Sequence, residues 1–167
     1  KIISKHFLNK SIEKNENNKM AKIDNDGVTF KSYIDGSRHR FTPEKSMQIQ
    51  HDLGADIFFT FDECTSPLSP HSYQIEAMNR THKWAKRCLL EHEKLGVSSA
   101  TGKQQYLFAV VQGGAYEDLR RESARVLSQM KSEKMFDGFG IGGSFNKDDI
   151  GTAVKWVTEE LNKNGAE

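Results

Sequence analysis

Three short apolar runs, IFFTF at 57–61, YLFAVV at 106–111 and FDGFGI at 136–141, recur along the chain, each followed by a stretch of helical periodicity. This alternation limits the fold more than any other feature. IFFTF, short and unbroken, is as expected for a strand buried on both faces, YLFAVV reads as a second buried strand, and FDGFGI as a third strand weakened by its glycines. After the first run, residues 72–93 place Met78, Thr81, Ala85, Cys88 and Leu89 on one helical face. After the second, 116–130 repeats the spacing with Leu119, Ser123, Val126 and Leu127. After the third, a helix capped by Asn146 carries Ile150, Ala153, Val154, Val157 and Leu161. Strands alternating with helices imply a parallel sheet with right-handed crossovers. A small doubly wound sheet and consecutive units of a (β/α)8 barrel both satisfy the pattern. A closed barrel takes ~250 residues, so a chain of 167 residues would make an incomplete one.

Ahead of these units the pattern differs. Residues 1–22, with SIEKNENNK at their centre, are polar and aperiodic and read as an arm or loop. Residues 23–41 read as a β-hairpin insertion, with alternation at Val28, Phe30 and Ser32 and a turn at Asp35-Gly36. Thr42-Pro43-Glu44 then starts a helix that Gly54 ends: a capping hydroxyl, a proline suited to the first turn, and an acid at the positive end of the dipole. The expected division is therefore arm, hairpin, and strand-helix units over 42–167.

Composition narrows the function. The formal net charge of +1 gives no global basic footprint of the kind many nucleic-acid binders carry. Cys64 and Cys88 are too few for a disulfide framework, and neither they nor the six scattered histidines have metal-ligand spacing. No apolar run approaches the ~20 residues of a membrane span, and the opening KIISKHFLNK lacks a signal-peptide core; a cytoplasmic location is expected.

The chemistry-bearing residues lie just past the strands: Asp62-Glu63-Cys64 after the first, Gln112-Gly113-Gly114 after the second, Gly142-Gly143-Ser144-Phe145 after the third. In a parallel sheet these loops share the carboxyl edge, where α/β proteins bind ligands. A carboxylate, an amide, a thiol and accessible glycine backbone suit a planar heterocycle with mixed donors and acceptors. Taken singly the signals are weaker. An Asp after a strand is often a loop or helix cap, a lone Cys is usually an inert small hydrophobe, and Gly-Gly pairs are mostly turn chemistry. Neither glycine cluster has phosphate-loop spacing.

As text the chain is more specific. DGVTFKSYIDGSRHRFTPEKSMQIQHDLGADIFFTFDEC, RTHKWAKRC, VVQGGAYEDLRRESA and FDGFGIGG together resemble the bacterial tRNA-guanine transglycosylases (queuine tRNA-ribosyltransferases) over about residues 20–160. The resemblance implies a (β/α)8 barrel with a zinc-bearing subdomain, of which this chain is a central fragment of about three strand-helix units. It implies exchange of guanine at the tRNA wobble position for a 7-deazaguanine, through an aspartate that attacks the ribose C1′. Asp62 would read the base edge with Cys64 beside it; Gln112, Gly113 and the Gly143 backbone would be further substrate contacts. The implied partners are tRNA, guanine or a 7-deazaguanine base, and a second copy of the intact enzyme as a homodimer. The nucleophile, the substrate-binding Asp-Ser-Gly-Gly-Phe loop and the zinc ligands have no counterpart among the matched motifs, so the chain alone is expected to be inactive. A non-catalytic partner subunit or a purine-binding module of the same fold is the alternative. After Gly143, Ser144-Phe145-Asn146-Lys147-Asp148-Asp149 departs from the family pattern, which leaves open whether the incoming base is queuine or its precursor.

Overall fold

The computed structural model describes residues 21–98, 100–143 and 147–165. The arm over its first 20 residues, the Asn146 cap and the Ser144-Phe145 departure lie outside the described residues. The chain divides into two compact units at Phe41–Thr42.

The first unit is a three-stranded antiparallel meander, β1 (Ala21–Asp24), β2 (Gly27–Lys31) and β3 (Arg38–Phe41), in sequence order. This corrects the two-stranded hairpin: β1 crosses the boundary placed after residue 22. Ala21-Lys22-Ile23-Asp24 has too few apolar residues to announce a strand. It forms by pairing with β2, Ala21 opposite Phe30 and Asp24 opposite Gly27. Asp24 closes the turn by accepting from the Asp26 and Gly27 amides at 2.9 and 3.1 Å. It also takes both guanidinium arms of Arg40 from β3, at 2.8 and 2.6 Å.

The second unit begins with α1 (Pro43–Leu53), capped as expected: the Lys45 amide donates to Thr42 Oγ1 at 3.2 Å, and Gly54 takes the left-handed turn at the far end. Then follow β4 (Ile57–Phe59), α2 (His71–Leu95), β5 (Tyr106–Val111), α3 (Glu117–Gln129), β6 (Gly138–Ile141), a 3-10 turn at Lys147–Asp149 and α4 (Ile150–Lys163). Strands β4, β5 and β6 pair in parallel in chain order, Phe59 beside Phe108 and Ala109 beside Phe139.

Right-handed crossovers between consecutive neighbours put the connecting helices on one face of a sheet. That face carries Phe58, Leu107, Ala109 and Val111, which form one core with Met47 of α1, Ala85, Cys88 and Leu89 of α2, Leu127 of α3 and Val157 of α4. Each large apolar side chain buried there contributes roughly 1.5–3 kcal/mol. On the opposite face Ile57, Phe59 and Tyr106 are 52, 46 and 48% exposed. The expectation of strands buried on both faces is thus corrected, because the described helices cover only one. Strand β4 covers three residues, Ile57–Phe59, rather than the expected 57–61. In α4, Ala153 and Val157 are buried, but Ile150 and Val154 of the expected stripe are exposed.

The glycines of β6 have a packing reason on the open face. A Cβ at Gly138 would meet the Phe108 ring at 2.6 Å, and one at Gly140 the Phe59 ring at 2.7 Å. The two rings lie across β6 and against each other edge-to-face, centroids 5.9 Å apart.

Cys88 is fully buried, its sulfur accepts from the Phe61 amide at 3.3 Å, and burial pushes its thiol up to about 12. Cys64 is exposed. Because the thiolate is the reactive form, a disulfide reagent near neutral pH should titrate one thiol in the native protein, Cys64, and the second only after denaturant is added. Rapid reaction of both without denaturant would contradict the buried position of Cys88.

Candidate functional site

The parallel register carries past the strand ends. The Thr60 amide donates to Phe108 O and the Gly142 amide to Val111 O, both at 3.0 Å. Asp62, Gln112 and Gly142 therefore arrive at one level of the carboxyl edge. Gln112 belongs to the open face, with Phe108 and Val110, and its side chain is 3% exposed. Its Nε2 donates to Asp62 Oδ2 at 2.6 Å. A Cβ at Gly142 would lie 2.8 Å from that same Nε2, so the β6 backbone crosses directly against the amide. Burial pushes the Asp62 carboxyl above its ordinary value, and the Gln112 amide partly offsets this. The arrangement presents carboxylate oxygen, amide and backbone within one small volume. A planar ligand edge with two adjacent N–H donors matches the carboxylate, and its acceptors match the amide.

Different helices hold each loop. Next to Asp62, Glu63 is buried and bound by Arg80 of α2, by Tyr73 Oη at 2.6 Å, and through its own amide by Thr81 Oγ1 at 3.0 Å. Gln74 accepts from Thr65 and donates to Ser66 O at 3.1 Å. For Gln112, the backbone amide donates to Ser123 Oγ at 3.3 Å, and that hydroxyl also bonds His82 Nε2 at 3.0 Å.

Arg120 of α3 ties the edge together. Its guanidinium donates to Gly114 O at 2.7 Å, Val111 O at 2.9 Å and Gly142 O at 2.6 Å. It is completely buried, which pulls its pKa down to about 10, still cationic at neutral pH. Helical spacing places Ser123 on the buried face of α3, but no sequence pattern marks Arg120 or His82. A tertiary reason is needed to separate Arg120 from Arg121, since both are arginines in one amphipathic helix.

Of the residues singled out from sequence, Asp62 and Gln112 meet. Gly113 is buried with φ +136°, and a Cβ there would sit 2.8 Å from the Arg120 amide nitrogen; it seats the loop on the first turn of α3. Gly143 follows Gly142 at the same edge with φ 115°. Cys64 is exposed two residues beyond Asp62, within electrostatic reach of Arg120.

A family model described as Queuine tRNA-ribosyltransferase matches residues 4–166. Among curated proteins, a queuine tRNA-ribosyltransferase of Herpetosiphon aurantiacus is 50% identical over 123 residues, 74% of this chain and 28% of the relative. One from Fusobacterium nucleatum is 49% identical over 124 residues, 74% of this chain and 31% of the relative. One from Natranaerobius thermophilus is 41% identical over 144 residues, 86% of this chain and 35% of the relative. The chain spans about a third of the length of these relatives.

Two outcomes follow from this geometry. Gly113→Ala places a methyl group against helix backbone that cannot turn aside and forces a strained φ. Overpacking and backbone strain each cost about 1–3 kcal/mol, so urea unfolding should show a loss of about 2–4 kcal/mol; an unchanged midpoint would contradict the close approach. Burial also lowers His82 to about 4 from an ordinary 6.5. The unfolded chain then binds a proton that the native chain refuses. The stabilisation is complete above pH about 6.5 and is lost as pH falls toward about 4, by up to about 3 kcal/mol. Urea titrations across that window should show the fall, and His82→Gln, which can still bond Ser123, should make it shallower. An identical slope in the variant would remove His82 from this role.

Proposed function

This chain belongs to the queuine tRNA-ribosyltransferase family, and on that footing we propose that it is the base-recognition segment of a tRNA-guanine transglycosylase. The full protein would exchange guanine at the tRNA wobble position for a 7-deazaguanine, queuine or its precursor. The observation that carries the reading is the 2.6 Å contact between Gln112 and Asp62 at the carboxyl edge, with β6 backbone against the same amide. Guanine and its 7-deaza analogues share an N–H/NH2 edge beside a carbonyl. Asp62 would accept both N–H groups, Gln112 would turn its amide from Asp62 toward the carbonyl, and the Gly143 backbone would bound the ring on the third side. Cys64 would stand at the rim, and Gly113 would hold the loop that aims Gln112.

The same reading makes the three strand-helix units an arc of a (β/α)8 barrel. Strand order without reversal, with helices on one face, supports it; a doubly wound sheet reverses its order and covers both faces. The open face of β4 and β5 would be barrel interior, with Phe59 and Phe108 as packed layers beneath the site. The nucleophile would come from elsewhere in the full protein, as would any homodimer contact. Among the described residues no group of three or more His, Cys, Asp or Glu side chains converges on a metal position. No described helix is long and apolar enough to cross a membrane.

In the full-length protein, Asp62→Asn sets an amide N–H against the N–H edge of the base. A mismatched buried pair costs ~1–3 kcal/mol, so incorporation of labelled guanine into substrate tRNA should fall at least about tenfold. Binding of tRNA through its phosphates should change little. Unaltered exchange kinetics would overturn the assignment of Asp62.

A further inference from the structure

The meander carries a second surface that the base site does not use. Register places Lys22, Thr29 and Arg40 in one cross-strand row and Lys31 with Arg38 in the next row, all on the same face. Arg40 is neutralised by Asp24. The side chains of Lys22, Lys31 and Arg38 are exposed and make no hydrogen bond or ion pair with a described residue. Lys31 and Arg38 stand directly opposite each other, a like-charge pairing that destabilises an antiparallel sheet. An anion bound across the row would relieve it.

Beside that row the β2–β3 connection is built to hold its shape. Ser32 Oγ accepts from the Ile34 amide at 3.2 Å, and the Ser32 amide donates to Ser37 O at 2.8 Å. Asp35 Oδ1 accepts from the Ser37 amide and hydroxyl at 3.1 and 2.8 Å. With its carboxylate committed to Ser37, Asp35 is turned to the loop rather than to the cations. The turn displays Tyr33, 89% exposed, and Ile34, 81% exposed.

Cations on one face without a partner among the described residues, next to an exposed aromatic ring on a hydrogen-bonded turn, make the combination that binds looped or single-stranded RNA: charge for the phosphates and a ring for an unstacked base. We propose that this face of the meander, through Lys22, Lys31, Arg38 and Tyr33, is a tRNA-binding surface separate from the base site. The inference takes tRNA as partner from the reading above, but it concerns different residues.

The test measures equilibrium binding of the full-length protein to a transcript of its substrate tRNA, between about 50 and 200 mM salt. Each phosphate contact adds about 0.7 to the slope of log K against log salt for single strands. The variant Lys22→Gln/Lys31→Gln/Arg38→Gln should therefore lose about 2 from that slope, whereas Lys22→Arg/Lys31→Arg/Arg38→Lys should keep it. Tyr33→Ala should weaken binding about tenfold at fixed salt, within the range of one stacked base, and Tyr33→Phe should restore it. Asp62→Asn should leave the slope alone, so failure of the base site and failure of this surface give different results. An unchanged slope in the Gln variant would overturn the proposal. So would an unchanged slope joined to a loss of self-association in sedimentation, which would assign the face to a protein contact.

Discussion

The buried guanidinium of Arg120 is the interaction on which the carboxyl edge depends. It donates to the last carbonyl of β5, to the Gly-Gly loop that follows, and to the first carbonyl past β6. Strand ends in a parallel sheet leave carbonyls without ladder partners, and buried backbone groups must find others. A single planar cation with several donors in fixed directions reaches Gly114 O and Gly142 O and adds a second bond to Val111 O, which also accepts from the Gly142 amide. Hydrogen bonds from charged donors contribute about 1.5–3 kcal/mol each, set against a burial that disfavours the cation and pulls its pKa down to about 10. The β5–β6 register sets the relative height of Gln112 and Gly142, and the clamp ties the two loops together.

The Asp62 side of the site is fixed by separate means. Glu63 is drawn into α2 by Arg80, Tyr73 and Thr81, which leaves its neighbour Asp62 directed to Gln112. The loops at this edge are thus anchored by residues outside the Asp62–Gln112 pair, and that pair is positioned on folding. In the proposed reading, recognition of a flat polar ring would gain from this preorganisation, because the cost of placing the loops is met on folding. Beneath the site, glycines in β6 let the Phe59 and Phe108 rings lie over the sheet, so the floor is apolar while the rim is polar.

Elements whose information is local were readable in advance. The helix opened by Thr42-Pro43-Glu44 and closed by Gly54 appears as written, and β5 matches its apolar run residue for residue. The buried face of α2 matches too, since helical periodicity already encodes it. Elements made by pairing were not. Strand β1 exists through its register with β2 and through Arg40 reaching back to Asp24. The half-exposed face of β4 and β5 was also hidden, because an apolar run says that a strand wants burial on both sides and not which side the described helices cover.

By itself, then, the sequence determined the strand-helix order, the Thr42 and Gly54 caps, and the placement of Asp62, Gln112 and the glycine pairs just past consecutive strands. These are properties of neighbours along the chain. Only the tertiary structure decided which of those residues meet and what holds them. Arg120 and Arg121 stand side by side in one helix, yet Arg120 is buried on three loop carbonyls while Arg121 lies at the surface, paired with Glu117 and Glu159. The difference is the roughly 100° between successive residues of a helix with 3.6 residues per turn. Which side of α3 faces the strand ends is set by the packing of α3 on the sheet.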